Sequence, residues 1–160
     1  MAYAADTSVP VERSRAEIER LLSKHKCQKF MAGIDNDAHR ATVQFQAHGR
    51  IVRFEIALPD RNDPQFMKIK NRYMQRSVSG VEKAVAQAER TCWRALLLVI
   101  KAKLEAVESN IATFEDEFLA HTVLPNQQTV AQYIGPAVEQ MYATGTMTPA
   151  RLIAGETEKT

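Results

Sequence analysis

The longest helical segment of the sequence, residues 79–111, restricts the fold more than any other feature of the 160-residue chain. It contains no Pro and one Gly near its start, and its apolar residues recur every three or four positions, the period of a helix with a buried face. Ser79 and Glu82 have the spacing of a capping box. Such a helix would extend for about 50 Å. The predicted buried stripe consists of Val81, Val85, Ala88, Cys92, Leu96, Val99, Leu104, Val107 and Ile111.

A second apolar stripe follows the same helix at Trp93, Leu97, Ile100 and Leu104. Residues 95–100 are apolar on every side, so they need cover from more than one direction. The C-terminal helices of the same chain can supply that cover, and so can a second subunit. We predict that the second stripe is the interface of a homo-oligomer.

The segment before this helix changes from helical to strand periodicity. Residues 1–10 are predicted to be an irregular arm and residues 11–24 a first helix. Apolar residues then alternate with polar ones through residues 28–58, which predicts a three-stranded antiparallel meander with one apolar face on the two helices. The fold class is therefore α+β, with a single domain over 11–150. Short C-terminal helices are expected within 113–145 and a tail at 151–160.

Charge is distributed unevenly along the chain, although its net value is only +2. Residues 1–103 hold 19 Lys and Arg against 11 Asp and Glu, and residues 104–160 hold 2 against 8. A basic body with an acidic last third is compatible with polyanion binding, with head-to-tail contact between subunits, or with two solvated surfaces of opposite sign.

The composition gives no indication of membrane insertion, secretion or disulfide bonding. The longest apolar run is too short to span a membrane, and the N-terminus lacks the pattern of a signal peptide. Cys27 and Cys92 have no metal-binding spacing and are expected to be reduced thiols. These features predict a cytoplasmic protein with no membrane partner.

Catalytic and metal-binding signatures are missing from the sequence. The four histidines show no paired spacing, and Glu117 and His121 share a helix face without further ligands nearby in sequence. Neither a nucleophile motif nor a glycine-rich phosphate loop occurs. We therefore predict a protein without enzymatic activity, metal or cofactor.

The most basic window of the chain, QFMKIKNRYMQR, is the main functional signal. Its cations can neutralise phosphates and its aromatic residues can stack on bases. Two cations on the polar face of the sheet would extend the same surface. The predicted nucleic-acid-binding residues are Lys68, Lys70, Arg72, Arg76, Arg53, Lys29, Tyr73 and Phe66. The alternative is that Phe66, Ile69 and Tyr73 belong to the core and that the cations are merely solvated.

The segment from Glu89 to Val130, ERTCWRALLLVIKAKLEAVESNIATFEDEFLAHTVLPNQQTV, resembles a recurring segment of uncharacterised proteins from tailed phages and prophages. Those proteins are similar in length and share a start like VPVERSRAEIERLL. The resemblance implies expression in a bacterial host and a role in phage DNA metabolism or host takeover. The predicted order of elements also resembles the three-strand and helix unit of Rad52-like annealing proteins, which is an analogy of fold.

These observations lead to one functional hypothesis and one alternative. The first is a phage-encoded protein that binds single-stranded nucleic acid in recombination or replication, by backbone charge and stacking. The alternative is a protein–protein interaction module that binds or inhibits a host factor.

Overall fold

The computed structural model describes residues 4–68 and 76–147 and confirms the α+β architecture. The elements follow in the order α1 (Val11–Lys24), β1 (Gln28–Asp35), β2 (Arg40–Ala47), β3 (Arg50–Ala57), α2 (Pro64–Met67), α3 (Val78–Glu108), α4 (Phe114–Phe118), a 3₁₀ turn (Leu119–His121) and α5 (Val130–Thr144).

The sheet is an antiparallel meander in the order β1-β2-β3, as the alternation of the sequence predicts. Val43 lies opposite Phe54, and both side chains are buried. The neighbouring pair Gln44 and Arg53 points to the other face. His48 and Gly49, both at positive φ, form the tight turn between β2 and β3. One face of the sheet therefore contributes to the core while the other faces away from it.

The core lies between this apolar face and the helices α1, α3 and α4. α1 contributes Ile18 and Leu22, which are almost completely buried. Glu17 of α1 reaches Arg94 of α3, and His25 at the end of α1 lies 3.6 Å from Glu108 at the end of α3. The two helices thus run side by side in the same direction, and the meander between them in sequence closes the other side of the core.

The long helix starts two residues earlier than a capping box at Ser79 requires. Ser77 is its N-cap, and the Ser77 hydroxyl accepts a hydrogen bond from the Gly80 N–H at 3.2 Å. The helix ends at Glu108 instead of Ile111, because Asn110 adopts a positive φ that breaks the helical path. Ile111 is consequently 80% exposed.

The C-terminal region is anchored by capping boxes. Thr113 and Asp116 cap α4, and Thr129 and Gln132 cap α5. Between them, Thr122 forms a bridge with Val52, so the segment after the 3₁₀ turn covers part of the open edge of β3. α5 continues through Pro136 to Gly145, whose φ of +66° is the left-handed end typical of a glycine C-cap.

Candidate nucleic-acid interface

The two ends of the predicted basic window lie next to each other. The Arg76 backbone N–H donates to the Met67 carbonyl at 2.8 Å, which brings Lys68 close to Arg76 at the start of α3. Lys68 is exposed, and Phe66 and Arg76 are half-buried. Neither cation forms an ion pair with the described residues. The remaining predicted residues of this window, Lys70, Arg72 and Tyr73, lie outside the described part of the chain.

The sheet cations differ from what the sequence suggests. Arg53 is tied to its own chain, because its guanidinium donates to the Gln127 carbonyl at 2.7 Å and lies 3.1 Å from the Glu55 carboxylate. Its side chain is only 16% exposed, so it serves to dock the segment before α5 on β3. Lys29 is exposed at a bulge in β1, where it takes a φ of +51°. On the polar face of the sheet, the Lys29 side chain is accessible to solvent and most of the Arg53 side chain is not.

The stripe that we predicted as an oligomer interface is part of the core of the chain itself. Trp93 and Ile100 are fully buried, and Leu97 and Leu104 are 5% and 4% exposed. They face α1, the sheet and α4, so no second subunit is needed to cover them. Val99, which belongs to the stripe predicted as core, is instead 45% exposed. The buried face of α3 is therefore rotated toward Trp93, its largest side chain, and the predicted interface residues are corrected to core residues.

Two carboxylates of the acidic last third pair with cations of the basic body. Arg50 at the start of β3 contacts Glu115, and Lys103 of α3 lies 3.1 Å from Glu117. Both acids belong to the first turn of α4, where negative charge also suits the helix dipole. The charge gradient of the sequence is thus partly neutralised at α4, away from the basic window.

The structure brings together a set of cations that the sequence analysis missed. Arg13, Arg20 and Lys24 repeat along one side of α1 at steps of seven and four residues. Arg90, Arg94 and Lys101 repeat along one side of α3 at steps of four and seven. These steps keep side chains on one helix face. A groove with a volume of about 240 Å³ lies between the helices, and Arg20, Arg94 and Lys101 line it. We call it the α1–α3 groove.

Among the described residues, Glu17 is the one acid that lines the α1–α3 groove, and its carboxylate pairs with two arginines. The Glu17 carboxylate accepts from Arg94 at 2.7 Å and from Arg13 at 3.2 Å. The hydrogen bond from Arg94 holds the pKa of Glu17 below its ordinary value of 4.5, although partial burial acts in the opposite direction. Within the described chain, Arg20 and Lys101 have no ion pair. Three cations and one carboxylate line the groove, which leaves a surplus of two positive charges there.

The floor of the α1–α3 groove is apolar, being formed by Leu21, Leu97 and Leu98. A second depression continues from it beneath the N-terminal arm, since Arg94 and Leu98 line both. The arm is fixed there by Gln87, whose amide donates to the Ala5 and Thr7 carbonyls at 3.0 and 2.8 Å. The α1–α3 groove is thus cationic over apolar side chains, a setting suited to a flexible anionic chain, whereas the depression beneath the arm has both Arg94 and Asp6 in its lining.

Another hollow, of about 230 Å³, lies at the C-terminal end of α1 near the β2–β3 turn. His25, Cys27, His48 and Glu108 line it together with Lys24 and Lys26. The His48 ring stacks on Phe114 at 4.4 Å between centroids. Burial raises the pKa of the Cys27 thiol, which disfavours a reactive thiolate. Across residues 4–68 and 76–147, no three His, Cys, Asp or Glu side chains are arranged to hold a metal ion.

No protein-family model, curated protein or solved structure matches this chain. Among the helices that the structure describes, none has the length and apolarity required to cross a membrane.

Proposed function

We propose that the protein binds single-stranded nucleic acid, and that the phosphate backbone lies along the α1–α3 groove. The observation that carries this proposal is the surplus of two positive charges in the lining of the groove, above a floor of leucines. Polyanion binding draws its free energy mainly from counterions that cationic side chains release from phosphates. Groups such as Arg20 and Lys101, which have no ion pair within the described chain, need not give up an internal contact to bind.

The basic window can extend this binding surface at the N-terminal end of α3. Lys68 and Arg76 meet there, and Phe66 is half-buried beside them. In this proposal Lys70 and Arg72 also contact phosphates, while Phe66 and Tyr73 stack on bases. Arg53 is left out because its guanidinium is already held by Gln127 and Glu55.

The biological setting follows from the resemblance to tailed-phage and prophage proteins. We propose that the protein acts in phage recombination or replication in the cytoplasm of a bacterial host, without metal or cofactor. A homo-oligomer is also proposed, but its interface must lie outside the buried stripe of Trp93 and Ile100.

The test is fluorescence anisotropy with a labelled oligothymidylate at about 50 and 200 mM salt. The variant R20A/K101A removes two groove cations. For single strands the logarithm of the binding constant changes by about 0.7 per phosphate contact for each tenfold change in salt. If the contribution of each contact vanishes at about 1 M salt, the loss of two contacts should weaken binding about 60-fold at about 50 mM salt.

The matched control is R40A/R61A, which removes the same charge from two exposed side chains that do not line the groove. Its affinity should stay within about twofold of the wild-type value, because the groove cations and their phosphate contacts are intact. An equal loss in both variants would locate binding outside the groove. No binding by the wild-type protein at low salt would remove the nucleic-acid proposal and would favour a protein–protein interaction module acting on a host factor.

A further inference from the structure

The C-terminal helix α5 is attached to the domain by only part of its apolar surface. None of its 15 residues is buried, and it packs mainly on the 3₁₀ turn Leu119–His121. Val130, Ala137 and Met141 are half-buried on the side toward the domain. A helix with this much apolar surface normally buries a full face. Among residues 4–68 and 76–147, the packing of α5 is therefore incomplete.

The exposed apolar residues of α5 form a regular row. Ile134 and Val138 are both 40% exposed, and Tyr142 is 88% exposed. They are spaced four residues apart, so they lie along one side of the helix. Met147, just beyond the helix, is 84% exposed. We call Ile134, Val138 and Tyr142 the α5 row.

We propose that the α5 row is a homodimer interface, on which the same row of a second copy packs antiparallel around a twofold axis at Val138. This names the surface of the homo-oligomer proposed above, and it does not depend on nucleic-acid binding. The spacing of the row is symmetric about Val138. Ile134 of one copy would therefore meet Tyr142 of the other, and the two Val138 side chains would meet at the axis, as an isologous interface requires.

The size and charge of this surface suit a second copy. With Met147, the α5 row exposes on the order of 500 Å², against about 800 Å² per partner in a standard interface. The flanks of the helix can supply the remainder. Glu139 is the one charged residue of α5. Two identical helices of this composition can approach with little like-charge repulsion, whereas copies that meet through the cationic α1–α3 groove would repel each other.

The experiment is sedimentation velocity on the full chain over a wide concentration range. We expect a reversible dimer for the wild-type protein. V138E would place two carboxylates at the twofold axis and should weaken dimerisation by at least about tenfold, because neither buried charge would have a partner. Y142E provides a second variant, since a residue that is 88% exposed in the single chain can be charged without unfolding it.

The matched control is V99E on α3, which adds the same charge at a similarly exposed Val. It should leave the dimer unchanged, as should about 0.5 M salt, because apolar contacts are not screened. A wild-type monomer at all concentrations would overturn the homo-oligomer altogether. A dimer that V99E or salt dissociates, but V138E does not, would refute α5 as its surface. These sedimentation results do not test oligonucleotide binding, which is measured separately by fluorescence anisotropy.

Discussion

Replacing Glu17 by Gln should change stability and nucleic-acid affinity in opposite directions. The Glu17 carboxylate pairs with Arg94 at 2.7 Å and with Arg13 at 3.2 Å. Both pairs are partly exposed, so their loss should lower the free energy of unfolding by only about 1 kcal/mol. The same change frees one positive charge in the α1–α3 groove. Partial unfolding would weaken binding. A variant that is less stable but binds nucleic acid more tightly therefore shows that the removed carboxylate had been neutralising a cation of the binding surface.

The gain in affinity can be worked out from the charge that is released. If the freed arginine contacts one more phosphate, the binding constant for a single strand should rise about eightfold at about 50 mM salt and about threefold at about 200 mM, because each contact contributes about 0.7 to the salt slope. Anisotropy titrations measure this gain, and urea denaturation measures the stability.

The control for E17Q is E19Q on the same helix. Glu19 is exposed, lies outside the groove lining and has no ion pair within the described chain. It changes the net charge of the protein equally. If E17Q and E19Q tighten binding to the same extent, the effect comes from overall charge and the groove is not the binding surface. If neither variant changes the affinity, phosphates do not approach Glu17.

Three further predictions concern the core and its titratable groups. F118A should lower the free energy of unfolding by about 3–5 kcal/mol, because Phe118 is fully buried and stacks on Phe114 at 4.7 Å between ring centroids. L119A, at a half-exposed neighbour, should lower it by less than about 1 kcal/mol. If urea denaturation gives a loss for F118A as small as that for L119A, Phe118 is outside the core. Burial, with a smaller contribution from Lys103, lowers the pKa of His121 below its ordinary value of 6.5. The unfolded chain therefore binds a proton at His121 more readily than the folded chain does. The free energy of unfolding should fall as the pH drops below 6.5. H121N should flatten this dependence between about pH 7.5 and 5.5, and an unchanged slope would contradict the assignment. Burial raises the pKa of Cys27 and of Cys92, and Glu89 adds to the effect at Cys92. Iodoacetamide should therefore alkylate both thiols more slowly in the native protein than in urea. Equal alkylation rates would show that neither thiol is shielded.

The elements of this fold could be predicted because their patterns are local. The alternation through β2 corresponds to side chains that are buried and half-exposed in turn, and α1 spans Val11–Lys24 as its periodicity indicates. The rotation of α3 could not be predicted in this way. Both apolar stripes of that helix satisfy the same period, and only the approach of α1 and the sheet decides that Trp93 points inward while Val99 does not.

The candidate site depends on contacts that are distant in sequence. Arg53 lies on the polar face of a strand, but the Gln127 carbonyl, 74 residues later in the chain, accepts a hydrogen bond from its guanidinium. The cations of the α1–α3 groove do show a signal in the sequence, since their steps of four and seven residues place them on one side of each helix. The signal becomes informative only when the two helices are known to run side by side, with Glu17 opposite Arg94.

The most direct test of the proposed function is to map the contact surface by NMR, titrating ¹⁵N-labelled protein with a short oligothymidylate at low salt. We expect chemical-shift changes concentrated on the groove sides of α1 and α3, around Arg20, Arg94 and Lys101, with small changes at Gln44 and Arg53 on the outer face of the sheet. Changes that concentrate on the sheet, or a spectrum that does not respond at all, would contradict the assignment of the α1–α3 groove as the nucleic-acid interface.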